Sequence, residues 1–119
     1  MEIPVIRRFL TAYEQGAKQV NPKATVFSQF VGLSGSAWQN PTRAKELAML
    51  QFQRGADIIF AAAGASGRGV LDAAEAAKRF AIGVDTNQNG LKPGRVLTSM
   101  VKKVDEAVLQ LGRKLLRNE

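Results

Sequence analysis

Ala56-Asp57-Ile58-Ile59-Phe60-Ala61-Ala62-Ala63-Gly64-Ala65-Ser66-Gly67-Arg68-Gly69-Val70 is the stretch that decides the fold. Its first eight residues carry a single charge, with Ile58-Ile59-Phe60 at the centre. A short unbroken apolar run of this kind reads as a strand buried on both faces, as in parallel sheets. The glycines then make a loop, and Val70, Ala73, Ala74 and Ala77 follow at helical spacing. Strand, glycine turn and helix in succession are the unit of an α/β domain.

On the N-terminal side, Gly55 stands where a left-handed residue would stop a helix. That helix starts at Asn40-Pro41, a cap followed by a first-turn proline, and carries Ala44, Leu47, Ala48 and Gln51. A loop rich in Gly and Ser precedes it, and before the loop lies a strand-like run, Thr25-Val26-Phe27-Ser28-Gln29-Phe30-Val31. The chain opens on a helix from Pro4, with Ile6, Phe9, Tyr13, Ala17 and Val20 in register, ended by Asn21-Pro22. On the C-terminal side come a strand Ala81–Asp85, a polar loop Thr86–Gly94 and a strand Val96–Val101. A last helix follows, with one apolar stripe of Val104, Ala107, Val108, Leu111 and Leu115. The expected fold is one α/β domain over residues 1–119: three layers, a mostly parallel sheet with helices on both faces. The link from Asp85 to Val96 is short for a helical crossover, so parallel strands there require an irregular loop.

Cysteine and histidine are absent, which removes disulfides, thiolate nucleophiles, imidazole bases and the usual zinc sites together. The net charge of +7 is spread from Arg7 to Arg117 rather than clustered, and one Trp and one Tyr are few platforms for stacked bases. Solvated helix faces account for it, and no nucleic-acid partner is expected. No run approaches the ~18 apolar residues of a membrane span. Met1-Glu2-Ile3-Pro4 lacks the basic start and apolar block of an export signal, so localisation is open. A magnesium-binding receiver domain would need acids near the first strand, and Glu2 is the only one near the start. Nothing resembles an activated nucleophile. The chain therefore reads as a binding module with no catalytic residue, no metal site and no cofactor.

In open parallel sheets, ligands bind beyond the carboxyl ends of the strands. Those ends bring Trp38, the loop of Gly64 and Gly67, Asp85 and Lys102 to one edge. Trp38 lies in a polar loop, where it either stacks on a ligand or covers the core edge. The glycine loop has the order G-x-x-G-x-G, neither a dinucleotide fingerprint nor a P-loop; it binds oxygens with its amides or is a tight turn. Asp85 can accept two neighbouring sugar hydroxyls at once, or cap the turn through Thr86 or Asn87. Lys102 neutralises Asp85, donates to a ligand oxygen, or is a surface lysine beside Lys103.

Met1-Glu2-Ile3-Pro4-Val5-Ile6, with Phe9 and Gly16, resembles the second lobe of the basic membrane protein family. The likeness continues through Gln53–Phe60, the Gly64–Gly69 loop, Ala81-Ile82-Gly83-Val84-Asp85 and Val96-Leu97-Thr98-Ser99-Met100-Val101-Lys102-Lys103-Val104-Asp105. These are substrate-binding lipoproteins of ABC importers, purine nucleoside receptors among them. The resemblance implies a type I periplasmic binding protein fold, in which two flavodoxin-like α/β lobes close on a ligand. It also implies work outside the cytoplasm and an ABC permease as partner. It gives Trp38 a stacking role, Gly64 and Gly67 a backbone approach to the ligand, Asp85 the ribose hydroxyls, and Lys102 a place at the same edge. In the family a strand ending in Gly-Gly precedes the Met-acidic-Ile-Pro segment. The lobe's usual first strand, central in the sheet, and the whole first lobe are therefore expected to be missing. Two repairs are expected: the strands close up, or a second copy completes the sheet in a homodimer. The expected function is weak, non-catalytic binding of a nucleoside-like molecule; the alternative is a dimerising scaffold without a ligand.

Overall fold

A computed structural model describes residues 1–117. Pro4 occupies the first turn of α1 (Pro4–Val20), where its missing N–H costs nothing. Asn40 caps α2 (Pro41–Gln53) by accepting the Arg43 N–H at 2.9 Å on its side-chain oxygen. Gly55 closes that helix at φ 99°, and the Ala56 N–H reaches back to the Gln51 carbonyl. Then follow β1 (Ile58–Phe60), α3 (Gly67–Ala76), β2 (Phe80–Asp85), β3 (Val96–Val101) and α4 (Val104–Leu116).

The three strands form one parallel sheet in the order β1-β2-β3, with Ile59 opposite Ala81 and Asp85 opposite Val101. The link from β2 to β3 is an irregular loop with one 3-10 turn, Asn89–Leu91, as its length requires. Along a strand alternate side chains point to opposite faces. Ile59 packs on the core that α2 and α3 form with Ala44, Ala48, Phe52, Leu71, Ala73 and Ala74. Phe60 points the other way and meets α1, stacked on Tyr13 at 5.4 Å and tilted against Phe9 at 6.5 Å. Helices therefore stand on both faces of the sheet, α2 and α3 packed on one and α1 reaching the other at Phe60.

Two expectations change. Residues 25–31 form no strand and join no sheet. A strand needs a neighbour 4.8 Å away, and the neighbouring β1 lies across a cavity of about 590 Å³. The strands have not closed up, which also explains why Ile58, Ile59 and Phe60 are only half-buried. The second change concerns α4. It is a helix as its periodicity predicts, but its stripe meets no core, and none of its residues is buried.

Candidate functional site

Because β1, β2 and β3 are parallel, their carboxyl ends share one edge, and two small constellations stand on it. The first joins the loop before α2 to the loop after β1. Ser66 is wholly buried; its hydroxyl donates to the Ala37 carbonyl at 2.6 Å and accepts the Asn40 N–H at 2.7 Å. These two bonds fasten the 3-10 turn Gly35–Gln39 to the 3-10 turn Gly64–Ser66. Trp38 is thereby held half-buried over Gly64, where a Cβ would come within 3.3 Å of its ring. Gly64 also has φ 57°, so both its backbone and its neighbour favour glycine. Gly67 differs. It is buried against Ala61, and its N–H is engaged by the carbonyls of Gly64 and Ala65, which leaves Gly64 as the glycine at the surface of the edge.

The second constellation joins β2 to β3. Asp85 ends β2 in the left-handed region, φ 69°, and its carbonyl accepts the Lys102 N–H at 3.0 Å. Its carboxylate makes no bond to the amides of Thr86 or Asn87. Oδ1 is sheltered from solvent and lies 2.6 Å from Lys102 Nζ, in an ion pair whose side chains are otherwise half-exposed. Lys102 Nζ also sits 5.1 Å above the Phe9 ring, so the pair ties α1 to the edge. Farther along α1, Tyr13 has its pKa raised above the ordinary tyrosine value, first by burial and then by the nearby Asp57 carboxylate.

One polar network had no signature in the sequence. Gln88 Oε1 accepts the Val84 N–H at 2.9 Å, and the Gln88 N–H donates to Ser99 Oγ at 2.9 Å. Ser99 Oγ donates in turn to Asn89 Oδ1 at 2.7 Å. The network folds the β2–β3 loop back onto both strands beside Asp85. Its only clue is the pairing of Gly83 with Ser99, which exists once β2 and β3 are known to be parallel neighbours.

The edge offers an aromatic face, a bare backbone, a carboxylate and an ammonium. Among the described residues no three His, Cys, Asp or Glu side chains gather as metal ligands would. Trp38 with Gly64, and Asp85 with Lys102, are each brought together. Such a set can stack a ring and bind hydroxyls.

Residues 1–119 match the model of the Bmp family, described as "ABC transporter substrate-binding protein PnrA-like". Basic membrane protein D of Borreliella burgdorferi (strain JD1) is 41% identical over 114 residues, covering 94% of this chain and 32% of the relative. The CD4+ T-cell-stimulating antigen of Listeria monocytogenes is 32% identical over 123 residues, covering 90% of this chain and 33% of the relative. A crystal structure of an ABC transporter system solute-binding protein from Aeropyrum pernix K1 superposes with a TM-score of 0.78 at 25% identity. That match covers 99% of this chain and 33% of the other. The chain thus spans about a third of the length of the relatives it matches.

Proposed function

Since the chain belongs to the Bmp family of PnrA-like ABC transporter substrate-binding proteins, we propose that it is a non-catalytic binding lobe for a nucleoside-like molecule, serving an ABC permease. The observation that carries this reading is the Asp85–Lys102 pair. A carboxylate and an ammonium meet at 2.6 Å on the ligand edge of a parallel sheet, at a residue with left-handed backbone. A vicinal diol can replace the ammonium on the carboxylate oxygens, while Lys102 turns to a ligand oxygen. Trp38 supplies the stacking face and Gly64 the close backbone approach. One lobe covers one side of the ligand, whereas pockets normally enclose ~70–90% of it, so affinity is weak by itself.

Isothermal titration with guanosine, adenosine and inosine tests the reading, with Asp85→Asn as control. Asparagine tolerates the left-handed backbone and keeps the shape, but it loses the charge and one acceptor. Measurable binding by the native chain, weakened at least tenfold in Asp85→Asn, is expected. Equal binding by both would remove Asp85 from the site. No heat with any nucleoside would favour the second reading, a dimerising scaffold. The observation on that side is the solvent-facing apolar stripe of α4.

A further inference from the structure

Asp85 lies at the tip of a three-residue turn. The Thr86 N–H donates to the Val84 carbonyl at 2.8 Å, across an Asp85 φ of 69°. A bond from i to i+2 around a positive φ is the rare, strained form of the γ-turn, which persists only where its surroundings hold it. The hydrogen-bond ladder of β2 shows what holds it here. Phe80 gives its N–H to the Asp57 carbonyl, and the Ile82 carbonyl accepts the Ala61 N–H, so Val84, two residues on, faces β1 as well. One more step of a parallel ladder would bring the Val84 N–H to the Ala61 carbonyl. But β1 ends at Phe60, and the Ala61 carbonyl accepts the Ala63 N–H at 2.8 Å. Gln88 Oε1 takes its place and accepts the Val84 N–H at 2.9 Å.

We propose that Gln88 is a positioning residue of this edge: it supplies the acceptor that β1 ceases to supply, and so holds the strained turn that presents the Asp85 carboxylate to ligand hydroxyls. The proposal rests on the reading of Asp85 as the diol-binding group. Gln88 is itself fixed from β3, since its N–H donates to Ser99 Oγ at 2.9 Å and Ser99 stands opposite Gly83. Gly83 makes the seat. A Cβ there would lie 2.5 Å from Ser99 Oγ and 2.9 Å from Gln88 Cβ, so a larger residue would displace the side chain that reaches Val84. Lys102 holds the other flank, with its N–H on the Asp85 carbonyl and its ammonium on the carboxylate. The ammonium leaves the carboxylate when a diol arrives. Gln88 touches only backbone and Ser99, so it keeps the carboxylate aimed while the ion pair opens.

Two substitutions of similar length test it. Gln88→Met keeps the backbone bond to Ser99 but removes the acceptor; Gln88→Glu keeps an acceptor at the same reach. Each is compared with the native chain in two ways: titration with guanosine, adenosine and inosine, and NMR of the ligand-free chain. The spectra read the exchange of the Val84 amide and the couplings that report the Asp85 φ. In Gln88→Met the Val84 amide should exchange about tenfold faster, Asp85 should leave the left-handed region, and nucleosides should bind about tenfold more weakly. Gln88→Glu should recover the protection, the turn and most of the affinity. A methionine variant whose Asp85 stays left-handed would overturn the proposal. So would native affinity after the turn is lost, or a glutamate variant that does not recover the turn. If the native chain is silent to all three nucleosides, the nucleoside reading falls, and the ligand-free spectra alone then uphold or overturn the hold of Gln88 on Asp85.

Discussion

Asp85 holds a backbone conformation that costs an L-residue about 1–2 kcal/mol, and an ion pair with a half-exposed lysine returns only about 0.2–1 kcal/mol. Such strain at a strand end is common where a side chain is aimed at a ligand. It also yields an unusual order of stabilities. Asp85→Ala keeps the positive φ and loses the pair; Asp85→Gly loses the pair but relieves the strain. Asp85→Gly should therefore be the more stable variant by about 1 kcal/mol in urea denaturation, although glycine is usually the more costly replacement. Both should be silent to nucleosides, and an alanine variant as stable as the glycine one would show the strain to be absent. The residue types at this edge were legible, because the strand ends were. The left-handed backbone of Asp85 was not, and neither was the burial of Gly67. Each depends on how neighbouring loops settle, which no local pattern records.

At the scale of elements, the helices were legible because each carries its own periodicity, and α2 its own side-chain cap as well. Asn40, Pro41 and Gly55 bracket α2 as expected. The segment 25–31 has the composition of a strand but lacks a neighbour, and pairing is not written in the sequence of one partner. How α2 meets α3 is also invisible in periodicity, though its cause is simple: both contact faces are made of small residues. Ala44, Ala48, Ala73 and Ala74 are all buried, and Gly69 lies so close to α2 that a Cβ there would overlap the Pro41 carbonyl and crowd the Lys45 amide. Backbone cannot step aside as a flexible side chain would. Gly69→Ala should destabilise the fold by about 3 kcal/mol or more by forcing the helices apart, read as a lowered urea midpoint. A loss under 1 kcal/mol would mean that α2 and α3 can slide.

At the scale of the molecule, the described residues expose 8141 Å², against about 6300 Å² for a compact protein of this mass. The radius of gyration is 15.9 Å, where a compact chain of this length has about 13.5 Å. Neither α1 nor α4 has a buried residue, and α4 stands out by an apolar stripe left in solvent. Its helix is supported locally, with Asp105 and Glu106 in the first turn and Arg113 and Lys114 in the last complementing the helix dipole. Its stripe contributes nothing to the fold, since Val108 is 63% exposed and Leu111 62%. Leu111→Glu should consequently leave the urea midpoint nearly unchanged, within about 0.5 kcal/mol of the native chain. An apolar surface that does not serve the fold of the described residues is left to serve contacts with further polypeptide. If copies associate through α4, the same charge placed on the stripe should shift sedimentation towards the monomer. A loss of stability above 1 kcal/mol would instead show that α4 folds back onto the sheet in solution, and the area left open for a partner would shrink accordingly.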